Sequence, residues 1–320
     1  MRTRIYGTLG PSCAGADTLA RMLEQGMTGV RLNLSHLTLR QAAPMLETLS
    51  RAAERSGVTP ELLIDLQGPE LRILALPAPL DLRTGETVRL DFLPETIRET
   101  ITVGQELLLD DGKLLLRAID GSSAEVLRGG TLQSRKGAAL PGVELRLPPL
   151  TDADRENLSL ANEYGVTGVM QPFVRCREDL LELRAALREA GAEQVRIFAK
   201  IENREGVRRL PELMEAADEI VIARGDLGNS GPLWELPALQ RRITEACRGQ
   251  GKAFMVVTQM LASMEHSPVP TRAEVNDVFR AVLDGAASVM LTGETAVGDY
   301  PVEAIRYMAM SVREAEKYVN

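Results

Sequence analysis

Cysteine, histidine and aromatic side chains are all scarce in this chain of 320 residues, which holds 3 Cys, 2 His and 3% aromatic residues. Cys13, Cys176 and Cys247 lie far apart and match neither a zinc-ligand spacing nor a disulfide framework. That argues against zinc modules and stapled secreted scaffolds, leaves the three thiols as small apolar fillers, and implies a reducing compartment. His36 and His266 have no partner at motif spacing and read as positioning or surface groups rather than general bases. Basic patches interleaved with aromatics are also missing, and the net charge is −8, so the footprint of a nucleic-acid binder is absent. No uncharged apolar run reaches the roughly 18 residues that a bilayer span requires. The opening MRTRIYGTLG runs into an apolar strand pattern without a signal h-region, so a cytoplasmic location with no membrane partner is expected.

What the chain does have is apolar content, 44%, and a length beyond the roughly 250 residues of a plain (β/α)₈ barrel. Short β-rich runs fall within residues 4–9, 29–34, 61–66, 166–172, 194–201, 219–223, 253–258 and 287–291. Helical patterns such as DTLARMLEQG, REDLLELRAALREAG and TRAEVNDVFRAVLDG separate them, most ending on the glycine that commonly closes a helix. Eight βα alternations predict an α/β fold, a (β/α)₈ TIM barrel with a parallel sheet. Residues 73–140 break the alternation with strand-like pieces (ETVRLDF, ELLLDDGKLLLRAI, SAEVLRGG) between Gly, Asp and Pro turns. They predict a small all-β domain inserted after the third strand, so the barrel would comprise residues 1–72 and 141–320.

Polar residues at the carboxyl ends of barrel strands converge on one mouth, so charged groups just after apolar runs are the candidates for chemistry. Arg31, Asn33 and Ser35 punctuate VRLNLSH; Asp65 closes LLIDL; Lys200 and Glu202 lie in FAKIEN; Asp226 follows VIARG; Thr258 ends VVT. Glu202 and Asp226 are hard oxygen donors of the kind that Mg²⁺ or Mn²⁺ takes while keeping waters and substrate phosphate. The ordinary reading of two such acids is satisfaction by Arg204, Arg224 or helix termini. Lys200 changes the balance, because its alternation with Glu202 puts a cation and a carboxylate on the same side of one strand. That pairing suits a phosphorylated or enolate-bearing substrate. The glycines of ARGDLG would let backbone N–H groups approach an anion, although such turns are also common in plain loops. Arg31, Asn33, Ser35 and Asp65 offer a phosphate-pairing fork and oxygen donors, or else hydrogen bonds that tie loops together.

With these residues assembled, the chain resembles the pyruvate kinase family. TLGPSC, VRLNLSH, IDLQGPELR, LLDDG, SRKGAALPGVELRLPPLTDAD, AKIENREGVR, IARGDLG, VVTQMLASM, PTRAEVNDV and MLTGETAVGDYPVEA occur in that family's order over nearly the whole length. The resemblance implies phosphoryl transfer between phosphoenolpyruvate and ADP, giving pyruvate and ATP, and implies a divalent metal (Mg²⁺ or Mn²⁺) on Glu202 and Asp226. It implies Lys200 beside the transferring phosphoryl group, Arg31 on phosphate, and Thr258 with the backbone of Gly225 and Asp226 on the substrate carboxylate. Asn33, Ser35, Asp65 and the carbonyl of Leu66 would bind K⁺, and Glu70 matches the position associated with potassium dependence. Pro11, Asn33, His36, Arg72 and Lys136 would face the nucleotide. The inserted β domain looks like a shortened form of the family's lid. The family's carboxy-terminal domain is expected to be absent, and with it the sugar-phosphate effector site and the full tetramer, leaving a homodimer through the barrel as the assembly to expect.

Several positions depart from the family pattern. Leu66 and Gln67 stand where Thr and Lys are usual, Pro172 where Ser precedes Phe, Leu37 where Gly follows Ser-His, and Val297 where GETAKGDYP has Lys. Asn229, Ser230, Gly231 and Pro232 replace Ile-Glu-Ile-Pro after GDLG. Two other functions use similar parts: a metal-dependent lyase or decarboxylase that makes a pyruvate enolate, and a non-catalytic sensor of phosphoenolpyruvate or nucleotide.

Overall fold

Runs of β-branched and aliphatic residues bounded by Gly and polar turns favour buried parallel strands. All eight expected runs form them: β1 (Arg4–Thr8), β2 (Gly29–Asn33), β3 (Glu61–Asp65), β4 (Gly168–Gln171), β5 (Arg196–Ile201), β6 (Glu219–Ala223), β7 (Phe254–Val257) and β8 (Ser288–Met290). In the computed structural model, which describes residues 3–35, 37–69, 71–110, 112–141, 143 and 147–319 with the side chain of Thr96 left out, these strands pair in sequence order. They form a closed barrel that is parallel throughout, β8 returning to β1. The expected TIM barrel is therefore the fold observed.

The longer helices that follow the strands are α1 (Ala16–Gln25), α2 (Leu39–Ser56), α3 (Asp152–Ser159), α4 (Arg177–Glu189), α5 (Leu210–Ala216), α6 (Leu236–Gly249), α7 (Arg272–Leu283) and α8 (Pro301–Glu316). Local sequence sets their starts: Thr38 with Gln41, Thr151 with Asp154 and Thr271 with Glu274 form reciprocal capping boxes that satisfy N–H groups left over at a helix start. Gly26 ends α1 at φ +119°, a conformation that residues bearing a Cβ adopt at a cost. No helix among the described residues is long and apolar enough to cross a membrane.

Inside the barrel, Tyr6, Leu63, Met170, Phe198, Val221, Met255 and Met290 form a buried layer. Glycine on a neighbouring strand makes room for each large ring, since a Cβ on Gly29 would stand 2.5 Å from Tyr6 and one on Gly168 2.6 Å from Phe198. The strand amino ends are closed by charge. Glu219, fully buried, accepts from Arg4, from Arg196 at 2.8 Å and from Ser288, while Glu61 pairs with both arginines at 3.5 Å. Arg196 also lies 4.8 Å from the centre of the Phe198 ring. Replacing Glu219 by Gln keeps the shape but removes the nearer and more deeply buried of the two carboxylates that both guanidinium groups share. A loss of about 2 kcal/mol is expected, readable in urea unfolding with the m-value unchanged.

Contacts divide the chain into two units, Met1–Gly68, Pro148–Arg224 and Pro237–Asn320 forming the barrel unit, and Pro69–Leu147 with Gly225–Leu236 the second. The second is built on antiparallel sheets. One has five strands (Ala138–Ala139, Glu106–Leu109, Leu114–Ala118, Ser123–Arg128 and Thr87–Arg89), the other pairs Leu80–Leu82 with Gly130–Leu132. Leu107, Leu109, Leu114, Leu116, Ala124 and Val126 alternate onto one buried face. The segment between Thr87–Arg89 and Glu106–Leu109 also makes a one-turn helix, Glu95–Arg98.

Candidate active site

At the carboxyl ends of the strands, the end opposite the Glu219 network, the barrel gathers four charged side chains. Asp65 is the last residue of β3, Arg31 projects from β2, and Lys200 and Glu202 lie at and just beyond the end of β5. The Lys200 ammonium is 3.1–3.2 Å from both oxygens of Asp65 and 3.0 Å from Glu202. Two nitrogens of the Arg31 guanidinium converge on one oxygen of Asp65, Oδ2, Nε at 2.8 Å and a terminal nitrogen at 2.7 Å. Both carboxylates are nearly inaccessible, at 2% and 1% side-chain exposure, so each depends on these partners in place of water. Burial alone would push the Asp65 carboxyl upward, but Lys200 and Arg31 outweigh it and hold the group below the usual carboxylate range.

The strand alternation read from FAKIEN thus brings Lys200 and Glu202 to one side, whereas the pairing of Lys200 with Asp65, 135 residues away, had no local signal. Glu202 also accepts the backbone N–H of Phe173 at 2.7 Å, and Phe173 has φ +52°. Arg31 reaches Thr8 Oγ1 at 3.3 Å, and that hydroxyl donates to the carbonyl of Leu291. Asn33 turns its side-chain oxygen to the Ser35 N–H at 3.1 Å; Leu66 is buried and donates its N–H to Met170. Pro11 is exposed at the first position of a short 3₁₀ turn, Pro11–Cys13. His36 and Glu70 lie outside the described residues.

Thr258 follows β7 with φ +80°, and Gln259 has φ +53°. Two successive left-handed residues, one of them β-branched, carry strain of about 1–3 kcal/mol each that the surroundings must offset. The offset comes from Arg224. It donates to the Thr258 carbonyl at 3.0 and 2.7 Å and to that of Gln259 at 3.1 Å, and is held from behind by Asp277 at 2.6 Å. The sequence offered Arg224 as a neutraliser of nearby acids; the structure uses it to fix the Thr258 turn. Arg224→Lys would lose the planar fork while keeping the charge. The expected result is faster amide hydrogen exchange around Thr258 and a lower Tm than wild type, because the strained turn loses part of its support.

In the second unit, Lys136 and Lys113 grip the two oxygens of Asp110 at 2.8 and 3.1 Å. Burial raises the Asp110 carboxyl and the two lysines more than reverse this. Arg72 donates to the carbonyl of Arg135 at 3.0 Å and pairs by a backbone bridge with Gly137. Gly225 and Asp226 lie in the one-turn helix Arg224–Asn229, and Asn229 packs close to Gly112. Among the described residues no group of three or more His, Cys, Asp or Glu side chains is gathered as a metal cage.

Comparison with known proteins decides the family. The pyruvate kinase barrel domain matches residues 1–305. The pyruvate kinase of Aeropyrum pernix is 42% identical over 98% of this chain and 71% of its own length. That of Geobacillus stearothermophilus is 39% identical over 96% of this chain, and that of Bacillus licheniformis 36% over 100%. The chain belongs to the pyruvate kinase family. It spans only 56% and 58% of the length of the latter two relatives. Within the family's barrel, the residues that reading the sequence did not single out are Asp154, Asp277, Thr8 and the Phe173 N–H. The first was marked only by the capping pattern Thr151-x-x-Asp154, the others by nothing local.

Proposed function

We propose that the chain transfers the phosphoryl group of phosphoenolpyruvate to ADP, yielding pyruvate and ATP. The observation that carries the reading is the Lys200 ammonium held at 3.0–3.2 Å by two buried carboxylates at the strand ends of a pyruvate kinase barrel. A nearly desolvated fixed cation is worth far more to a developing negative charge than one in water. In the reaction, a terminal β-phosphate oxygen of ADP forms a bond to phosphorus as the enol oxygen–phosphorus bond breaks. Lys200 offsets charge on the moving group and on the enolate left behind, which takes a proton at carbon to become pyruvate. Arg31, oriented by Asp65, contacts phosphate; Thr258 and the backbone of Gly225 and Asp226 hold the carboxylate of the substrate. Pro11, Asn33, His36, Arg72 and Lys136 are the proposed nucleotide-binding residues.

Glu202 and Asp226 are the proposed ligands of Mg²⁺ or Mn²⁺. The donor set fits such an ion: it commonly binds through one or two carboxylates plus substrate oxygens and waters, and a dedicated all-protein cage is not required. When bound, the ion would supply positive charge to the phosphoryl oxygens. Asn33, Ser35, Asp65 and the Leu66 carbonyl are the proposed K⁺ donors. A cytoplasmic location and a homodimer through the barrel are the proposed setting and assembly.

The test is pyruvate formation coupled to lactate dehydrogenase, with Mg²⁺ or Mn²⁺ and with or without K⁺. Turnover is expected only with a divalent ion, and Glu202→Gln is expected to raise the metal requirement by at least about tenfold. Metal-independent turnover would contradict the assignment.

A further inference from the structure

Asp154, fully buried, accepts more hydrogen bonds than a helix cap needs. Two come from its own capping box, the N–H and hydroxyl of Thr151 at 2.9 and 2.8 Å. Two more come from outside the helix, the backbone N–H groups of Gln67 at 2.8 Å and Gly68 at 3.0 Å. Four donors converging on two oxygens leave no place for an amide NH₂, so the site calls for a carboxylate. The segment it grips begins at Asp65 and is restrained on both sides, because the Asp65 carbonyl accepts from Leu34 and the Leu66 N–H donates to Met170. Gly68 adopts φ +59° with Pro172 so close that an added Cβ would stand 2.4 Å from its ring. The next residue, Phe173, donates to Glu202. One buried carboxylate therefore fixes the far end of a short loop whose near end carries the partner of both Lys200 and Arg31.

We propose that Asp154 is a positioning residue for the phosphoryl-transfer site, holding the Asp65–Gly68 segment so that Asp65 sets the place of the Lys200 ammonium. The inference rests on the reading of the site as a pyruvate kinase centre. A plain capping role makes a different prediction, and substitutions separate the two. Asp154→Glu retains a residue favoured at this capping position but shifts the carboxylate by one methylene relative to Gln67 and Gly68. Asp154→Asn keeps the size and loses an acceptor. Thr151→Ala weakens the cap and leaves the contacts to Gln67 and Gly68 in place.

Steady-state kinetics of pyruvate formation would be run beside thermal melts and amide hydrogen exchange at Gln67 and Gly68. The proposal expects kcat to fall about tenfold or more in Asp154→Glu and Asp154→Asn with a smaller change in KM, and exchange at the two amides to quicken. Thr151→Ala should hold kcat within about twofold of wild type while lowering Tm. It is overturned if both Asp154 variants keep kcat within about twofold, or if Thr151→Ala loses as much kcat as they do. If the wild-type chain makes no pyruvate, the functional reading fails, and the exchange measurement still decides whether Asp154 holds the loop: unchanged rates at Gln67 and Gly68 would overturn that as well. Should Asp154→Asn not fold, Asp154→Glu carries the comparison.

Discussion

Lys200→Met is expected to lower kcat for pyruvate formation by about 10³-fold or more, equivalent to about 4 kcal/mol of lost transition-state stabilisation. The size follows from where the ammonium stands. It is 13% exposed, and its partners Asp65 and Glu202 are buried more deeply still. In that setting its charge is little diluted by water, and in the proposed mechanism removing it leaves the phosphoryl group and the enolate without their fixed cation. KM should change much less than kcat, because an interaction realised mainly in the transition state appears in kcat. The variant should also be less stable, since Asp65 and Glu202 lose the charge they share. Steady-state assays and a melt of the same preparation check both parts; a kcat within tenfold of wild type would remove Lys200 from the mechanism.

Asp65→Asn is expected to cost about 3 kcal/mol of folding stability or more at neutral pH, because Arg31 and Lys200 lose the buried counter-charge they share, Lys200 keeping its pair with Glu202. The pH dependence has a definite sign. The folded-state carboxyl lies below the ordinary value of 3.8, so its contribution is fully present above that value and is lost as pH falls through the folded-state value. The stability gap between wild type and Asp65→Asn should therefore be flat from neutral pH down to about 5 and close progressively below about 4. Urea titrations at several pH values measure it, and a gap that widens on acidification would show that Asp65 is not held ionised by Lys200 and Arg31. Activity should fall as well, since Arg31 and Lys200 both take their orientation from this group.

Much of the fold could be read before the structure because local physics decides it. The eight strands are short apolar runs that suit a fully buried parallel sheet, and the helical patterns between them mostly close on a glycine. The alternation at Lys200 and Glu202 is equally local, a matter of the two-residue period of a strand. What could not be read are the pairings set by closure of the barrel. Lys200 meets Asp65, Arg224 supports Thr258, and Asp154 reaches Gln67 across separations of 135, 34 and 87 residues. No periodicity encodes them. Asp65, expected as an oxygen donor for a monovalent ion, is found shared between two cations, and Asn229 sits against Gly112 of the second unit although its chain neighbours lead from a barrel strand. Departures such as Pro172 for Ser gain a meaning only beside Gly68, whose tight approach to the proline ring no sequence pattern specifies.

The most direct test of phosphoryl transfer follows phosphorus itself. Phosphoenolpyruvate, ADP and Mg²⁺ would be incubated with the chain and monitored by ³¹P NMR. The account predicts that the phosphoenolpyruvate resonance declines at the rate at which the γ-phosphate of ATP grows, with no accumulation of inorganic phosphate. Loss of phosphoenolpyruvate into inorganic phosphate, or an unchanged spectrum from folded protein across several nucleotides, would contradict it.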